Sequence, residues 1–148
     1  MKKFTRQQSA NAPIANINLD LGAAAAKVAH VLEPDDYRLR IEAARVVHSG
    51  PNVLVALELV LADDGRRVAN RPLWVDGPNA GAGHLAAENQ HLLAQLLALA
   101  GLPTAGKLNE LIPKLTGLEF DARLVLATDR RDRRTFNTIA AIYAEGAP

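Results

Sequence analysis

A β-rich α+β domain is the fold class that the sequence predicts, and three observations predict it. Five stretches alternate apolar and polar residues with the period of a strand. One stretch, His84 to Ala100, repeats leucine at three- and four-residue steps, the spacing that gathers side chains on one face of a helix. That helix stands between the third and fourth of the strands, with a shorter helical piece behind it.

With 148 residues and 49% hydrophobic content, the chain suits one compact domain. Cysteine is absent, which excludes disulfides, Cys-ligated zinc and thiol redox chemistry. No run of about 18 apolar residues and no apolar leader core is present, so a soluble protein of the bacterial cytoplasm, without membrane contact, is expected. The net charge is only +1, yet four of the 17 basic residues fall in the run Arg130, Arg131, Arg133, Arg134. Local basic patches on a nearly neutral protein are therefore expected.

Residues 1–30 are biased toward Ala, Asn and Gln and read as a tail or arm, in which Ile17, Leu19 and Leu21 suggest a short strand. The domain proper is 31–144, and 145–148 form a C-terminal tail. Pro34, Asp35 and Asp36 make a turn into the first strand, where Tyr37, Leu39, Ile41 and Ala43 alternate with Arg38, Arg40 and Glu42. The alternation breaks over Ala44 to Val47, and a bulge is expected there. After the turn at Ser49–Asn52, a second strand runs from Val53 to Leu61, and Asp63, Asp64 and Gly65 close a hairpin.

The third strand, about Arg67 to Val75, contains Pro72, which predicts an edge or a bulge because proline has no N–H for the ladder. A glycine-rich loop, residues 76–83, leads to the leucine helix, which Gly101 and Pro103 stop. A second helical piece spans Lys107 to Leu115, limited by Pro113. Leu118 to Leu126 give the clearest strand alternation. The hairpin Thr128–Arg134 joins it to a fifth strand, Thr135–Tyr143, whose inward face the pattern leaves open.

Three strands, a helix with a short second helix, and two strands, with the first strand bulged, is the element order of the OB-fold. That fold is a five-stranded Greek-key barrel which binds oligonucleotides across strands two and three and with the loops joining strands one to two and four to five. The run from Leu32 to Tyr143 also resembles a family of short phage and prophage proteins suspected of binding single-stranded DNA. The likeness rests on Leu32, Pro34 and Tyr37 entering strand one, on Gly65–Arg66 at the hairpin and on Leu73–Trp74. It continues through the leucine helix, through Leu108, Leu111 and Gly117, and through Asn137 and Ile139. Pro-Asp-Asp at residues 34–36 departs from the family's more usual Pro-Gly. The resemblance implies a non-enzymatic accessory to phage replication or recombination, partnered by single-stranded DNA and by replication or recombination proteins.

The candidate contacts follow from chemistry. Arg130, Arg131, Arg133 and Arg134 would clamp phosphates, and Arg67, Arg71, Arg38 and Arg40 would extend that surface. Trp74, of opposite parity to Leu73 and Val75, would stack on a base if it faces outward. The competing reading makes these arginines a solvated hairpin tip and face, and packs Trp74 under a loop or a partner subunit.

Gly101, Gly106 and Lys107 match part of a phosphate-binding loop, but Leu108 stands where a magnesium-holding Ser or Thr is required. His84, Glu88 and His91 lack the further ligands of a metal site, and the pairs Asp35–Asp36 and Asp63–Asp64 suit turns better than a nuclease. No catalytic residue, metal or cofactor is expected. The rival to DNA binding is a structural or homo-oligomerising module that uses the apolar outer positions Leu54 and Val60.

Overall fold

The computed structural model describes residues 28–78 and 84–143. The strand expected at 17–21 and most of the glycine-rich loop lie outside them. The described chain is β-rich, with strands β1 (Ala29–His30), β2 (Asp35–Ser49), β3 (Asn52–Leu61), β4 (Arg67–Val68) and β5 (Leu73–Asp76). Helix α1 (His84–Leu99), a single-turn α2 (Leu108–Leu111) continued by a 3-10 turn (Ile112–Leu115), and strands β6 (Glu119–Thr128) and β7 (Thr135–Tyr143) complete it. The strands form one seven-stranded sheet in the order β1-β4-β3-β2-β6-β7, with β5 also paired to β3. All pairs are antiparallel except β1 with β4.

Seven strands replace the expected five for two local reasons. Pro72 cannot donate to the ladder, so the third strand breaks over residues 69–72 into β4 and β5. The side chain of Asn70 fills the gap, its Nδ2 donating to Leu57 O at 2.9 Å. The added strand, β1, lies ahead of the expected domain start and pairs Ala29 and His30 with Arg67 and Val68.

Strand β2 is long because it serves two partners, β6 along Asp35–Arg40 and β3 along Leu39–Ser49. The bulge between them is at Glu42, since Ile41 faces Leu59 while Ala43 faces Glu58. This corrects the expected position at Ala44 to Val47. Leu39, Ile41 and Ala44 are the buried residues, so the inward step lengthens from two to three across Glu42 and Ala43, where alanine's small side chain hides the change of face.

The expected strand β6 places Phe120, Ala122 and Leu124 in the core, each at most 2% exposed. Strand β7 explains its own ambiguous pattern. Its ladder with β6 shifts between Leu124↔Ile139 and Arg123↔Ala141. Asn137 and Ile139 thus turn inward before the shift and Ile142 after it, and each parity is right for part of the strand.

Helix α1 buries Leu93, Leu96 and Leu97 against this sheet. Its polar residues also act, because Asn89 Nδ2 donates to Trp74 O at 2.9 Å and Gln90 Nε2 to Val75 O at 2.7 Å. The helix thereby satisfies two consecutive carbonyls of β5. Gly101, at φ 72°, ends it as the sequence predicts. Leu102 N donates to Leu97 O and Gly101 N to Ala98 O, the paired bonds of a Schellman cap. Pro113 converts the second helix to the 3-10 turn, which still buries Ile112 and Leu115 completely. Among the described residues no helix is long and apolar enough to cross a membrane.

Candidate nucleic-acid interface

The break in the third strand brings chemistry together. Residues 69–72 leave the ladder beside the start of β7, and Asn137 N donates to Ala69 O at 2.7 Å across the junction. The Asn137 side chain is 1% exposed and holds the incoming chain, accepting from Leu32 N at 2.8 Å and donating to Leu32 O at 2.9 Å. This lock sets the β6–β7 loop next to Arg71. A pocket of about 340 Å³ results, lined among others by Arg45, Arg67, Arg71, Arg134, Phe136 and Glu58.

Three of the predicted residues, Arg67, Arg71 and Arg134, meet in this pocket. Arg71 lies with its guanidinium 5.3 Å from the Phe136 ring centroid, a cation–π distance. Glu58 bridges two arginines, with Oε1 at 3.1 Å from Arg67 Nη1 and Oε2 at 3.2 Å from Arg45 Nη1. Arg67 Nε is buried with no hydrogen-bond partner among the described residues.

Arg71 is neutralised from the other side, by Asp132 Oδ2 at 3.0 Å from Nη2 and more distantly by Asp129 Oδ2 at 4.0 Å from Nη1. The Arg134 N–H and then the Arg71 guanidinium hold the Asp132 carboxyl below its ordinary range. By contrast, among the described residues no carboxylate oxygen lies within 4.0 Å of the guanidinium nitrogens of Arg130, Arg131, Arg133 or Arg134.

Those arginines sit on a tightly built hairpin. Asp129 Oδ1 accepts from Arg131 N at 2.7 Å, Asp129 O accepts from Arg133 N at 2.9 Å, and Arg133 takes φ 61° to complete the turn. All four arginines are exposed.

The remaining candidates lie elsewhere. Arg38 pairs with Asp121 at 3.3 Å and Glu119 at 3.8 Å, and Arg40 with Glu42 at 3.7 Å and Glu119 at 3.9 Å, along the β2–β6 side of the sheet. Neither lines the pocket. Trp74 is half-buried, opposite Leu54 in the ladder, and lines a larger adjoining cavity of about 850 Å³ with Leu54, Leu92 and Ile139. Arg71 and Phe136 line both cavities.

Sequence reading missed Arg45, Glu58 and Phe136. Placing the bulge at Glu42 would have turned Arg45 outward to meet Glu58, whereas nothing in the alternation of β7 marks Phe136. Among the described residues no cluster of three metal-ligating side chains occurs.

No family model and no curated protein matches the sequence.

Proposed function

We propose that the chain is an OB-fold-like barrel that binds single-stranded DNA with little sequence preference and catalyses no reaction on it. In this reading β2, β3, β4 with β5, β6 and β7 are the five barrel strands. The sharing of β2 by β3 and β6 supports it, as does the single Asn137-to-Ala69 backbone bond joining the last strand to the third. The observation that carries the function is the pocket in which Arg45, Arg67, Arg71 and Arg134 surround Phe136. Guanidinium groups bind phosphate, and an aromatic ring beside them accepts a base of any identity. Its position beside the third strand and the β6–β7 loop is where such barrels take a strand. A role in phage or prophage replication or recombination rests on the resemblance of residues 32–143 alone.

Titration of a labelled oligothymidylate, read by anisotropy and by Trp74 fluorescence, tests the reading. Three phosphate contacts, at Arg67, Arg71 and Arg134, give an expected slope of log affinity on log salt of about −2, and Arg134→Ala lowers its magnitude by about 0.7. Trp74 emission changes if bases reach the wall that the two cavities share. Absence of binding at low salt, with folded protein in excess, refutes the proposal.

The larger cavity, lined by Leu54, Leu59, Leu73, Leu92 and Ile139 beside Trp74, favours a second reading, a homo-oligomerising or protein-docking module. That reading predicts self-association without nucleic acid that salt does not weaken, measurable by sedimentation.

A further inference from the structure

Each arginine of the pocket that pairs at all does so with a carboxylate of its own chain, and the two nearest carboxylates, Glu58 and Asp132, are mounted differently, with Asp129 more distant at 4.0 Å from Arg71. Glu58 lies within the β3 ladder and bridges Arg45 and Arg67, so it is part of the scaffold. Asp132 stands at the tip of the β6–β7 hairpin and reaches Arg71 across 61 positions of sequence. Both members of that pair are open to water, with side-chain exposures of 38% and 40%. The carboxylate can therefore leave and return without any strand moving.

Only one Asp132 oxygen is used for the purpose. Oδ1 accepts from Arg134 N at 2.9 Å and shapes the turn, while Oδ2 faces Arg71 Nη2 at 3.0 Å. Arg71 also lines both cavities, with its guanidinium over Phe136.

We infer that Asp132 is a latch on the nucleic-acid site: its carboxylate occupies Arg71 in place of a phosphate, and an entering phosphodiester must displace it. The inference rests on the single-strand binding proposed above. A phosphate at Arg71 repels Asp132 and attracts Arg134 on the same loop. Opening the latch and closing the arginine clamp are thus one movement of one hairpin. The free protein keeps Arg71 neutral toward weak anions, and a polyanion that also engages Arg134 and Arg67 gains the contacts needed to compete.

Asp132→Asn isolates the latch, because an amide oxygen still accepts from Arg134 N while the charge facing Arg71 is gone. Asp64→Asn is the matched control. Asp64 likewise accepts from a backbone N–H two residues on, Arg66 N at 2.9 Å, and pairs with Arg66 Nε at 2.8 Å, and neither residue lines the pocket. At low salt Asp132→Asn binds oligothymidylate about threefold more tightly than wild type, the effect expected from one exposed ion pair, and Asp64→Asn binds as wild type does. The gain disappears when Arg71→Ala is added to Asp132→Asn.

Equal tightening by Asp132→Asn and Asp64→Asn, or a gain that survives Arg71→Ala, overturns the latch by making the effect one of net charge. Wild-type binding that Asp132→Asn leaves unchanged overturns the latch alone. If wild type and all variants fail to bind, both the latch and the binding proposal fall.

Discussion

Replacing Asn137 with alanine removes the lock between β7 and the chain entering β2, and the loss follows from its bonds. The side chain is 1% exposed and Leu32, its partner, is 7% exposed. Both Leu32 backbone groups depend on it, the N–H through Oδ1 at 2.8 Å and the carbonyl through Nδ2 at 2.9 Å. Each buried group left without a partner costs about 1 to 3 kcal/mol, and water entering the vacated space offsets part of that. A net loss of about 3 kcal/mol is expected. For a chain of this size it lowers the thermal midpoint by about 6 to 12 °C. Urea unfolding followed by Trp74 fluorescence and by circular dichroism measures it.

Asn137→Asp sharpens the test, because the carboxylate keeps the acceptor for Leu32 N but loses the donor and carries a buried charge. Burial raises the folded-state pKa of that aspartate. Its folding penalty is therefore small below the unfolded pKa and grows as pH rises toward the folded value. Loss below about 1 kcal/mol in Asn137→Ala, with an unchanged denaturant slope, would refute the assignment of Asn137 as a lock.

Gly77→Ala should destabilise by about 3 kcal/mol or more, since a Cβ at φ 106° would lie 2.6 Å from Asn52 Cα and 2.8 Å from Pro51 O, backbone that has nowhere to move. Gly50→Ala, at φ 60° with nothing within 4 Å, should cost only about 1 kcal/mol of backbone strain, and urea curves for the two separate clash from strain. Asp132 is held below its ordinary pKa of 3.8, so it favours the folded hairpin above that pH and the contribution is lost as pH falls through the lower folded value. A carbon-13 carboxyl titration should place its midpoint below 3.8 in wild type and nearer 3.8 in Arg71→Ala, where the second of its two main hydrogen bonds is gone.

Features that depend on one element's own periodicity were legible in the sequence. The leucine stripe of α1, its glycine stop, the alternation of β6 and the disruption at Pro72 all appear where their patterns imply. Features set by how two strands register against each other were not. The bulge at Glu42 shows only as a lengthened inward step that alanine obscures, and the shift in β7 makes both of its faces look apolar. The pocket depends on the first and on a further contact between strands. Arg45 reaches Glu58 because of the first, and Phe136 reaches Arg71 because residues 69–72 and Asn137 join across the sheet. Trp74 illustrates the same limit, as its parity predicts a direction but not that Asn89 from α1 would bind its carbonyl.

The arginines also show why counting charge misleads about where a polyanion would bind. A net charge of +1 suggests weak phosphate affinity, and a tally of candidates suggests a broad basic surface over β2, the third strand and the hairpin. Arg38 and Arg40 already face Glu119, Asp121 and Glu42, and Arg45 and Arg67 share Glu58. These acids cancel much of the tally in place, which accounts for near-neutrality without emptying the hairpin of charge. Among the described residues, the arginines left without a carboxylate are Arg130, Arg131, Arg133 and Arg134, within a loop whose own Asp132 pairs with Arg71. Affinity in this arrangement depends less on the number of arginines than on which carboxylate can step aside. Glu58 bridges two guanidiniums from within a strand, so the exposed hairpin acid, Asp132, is the one whose removal should be felt by a bound strand.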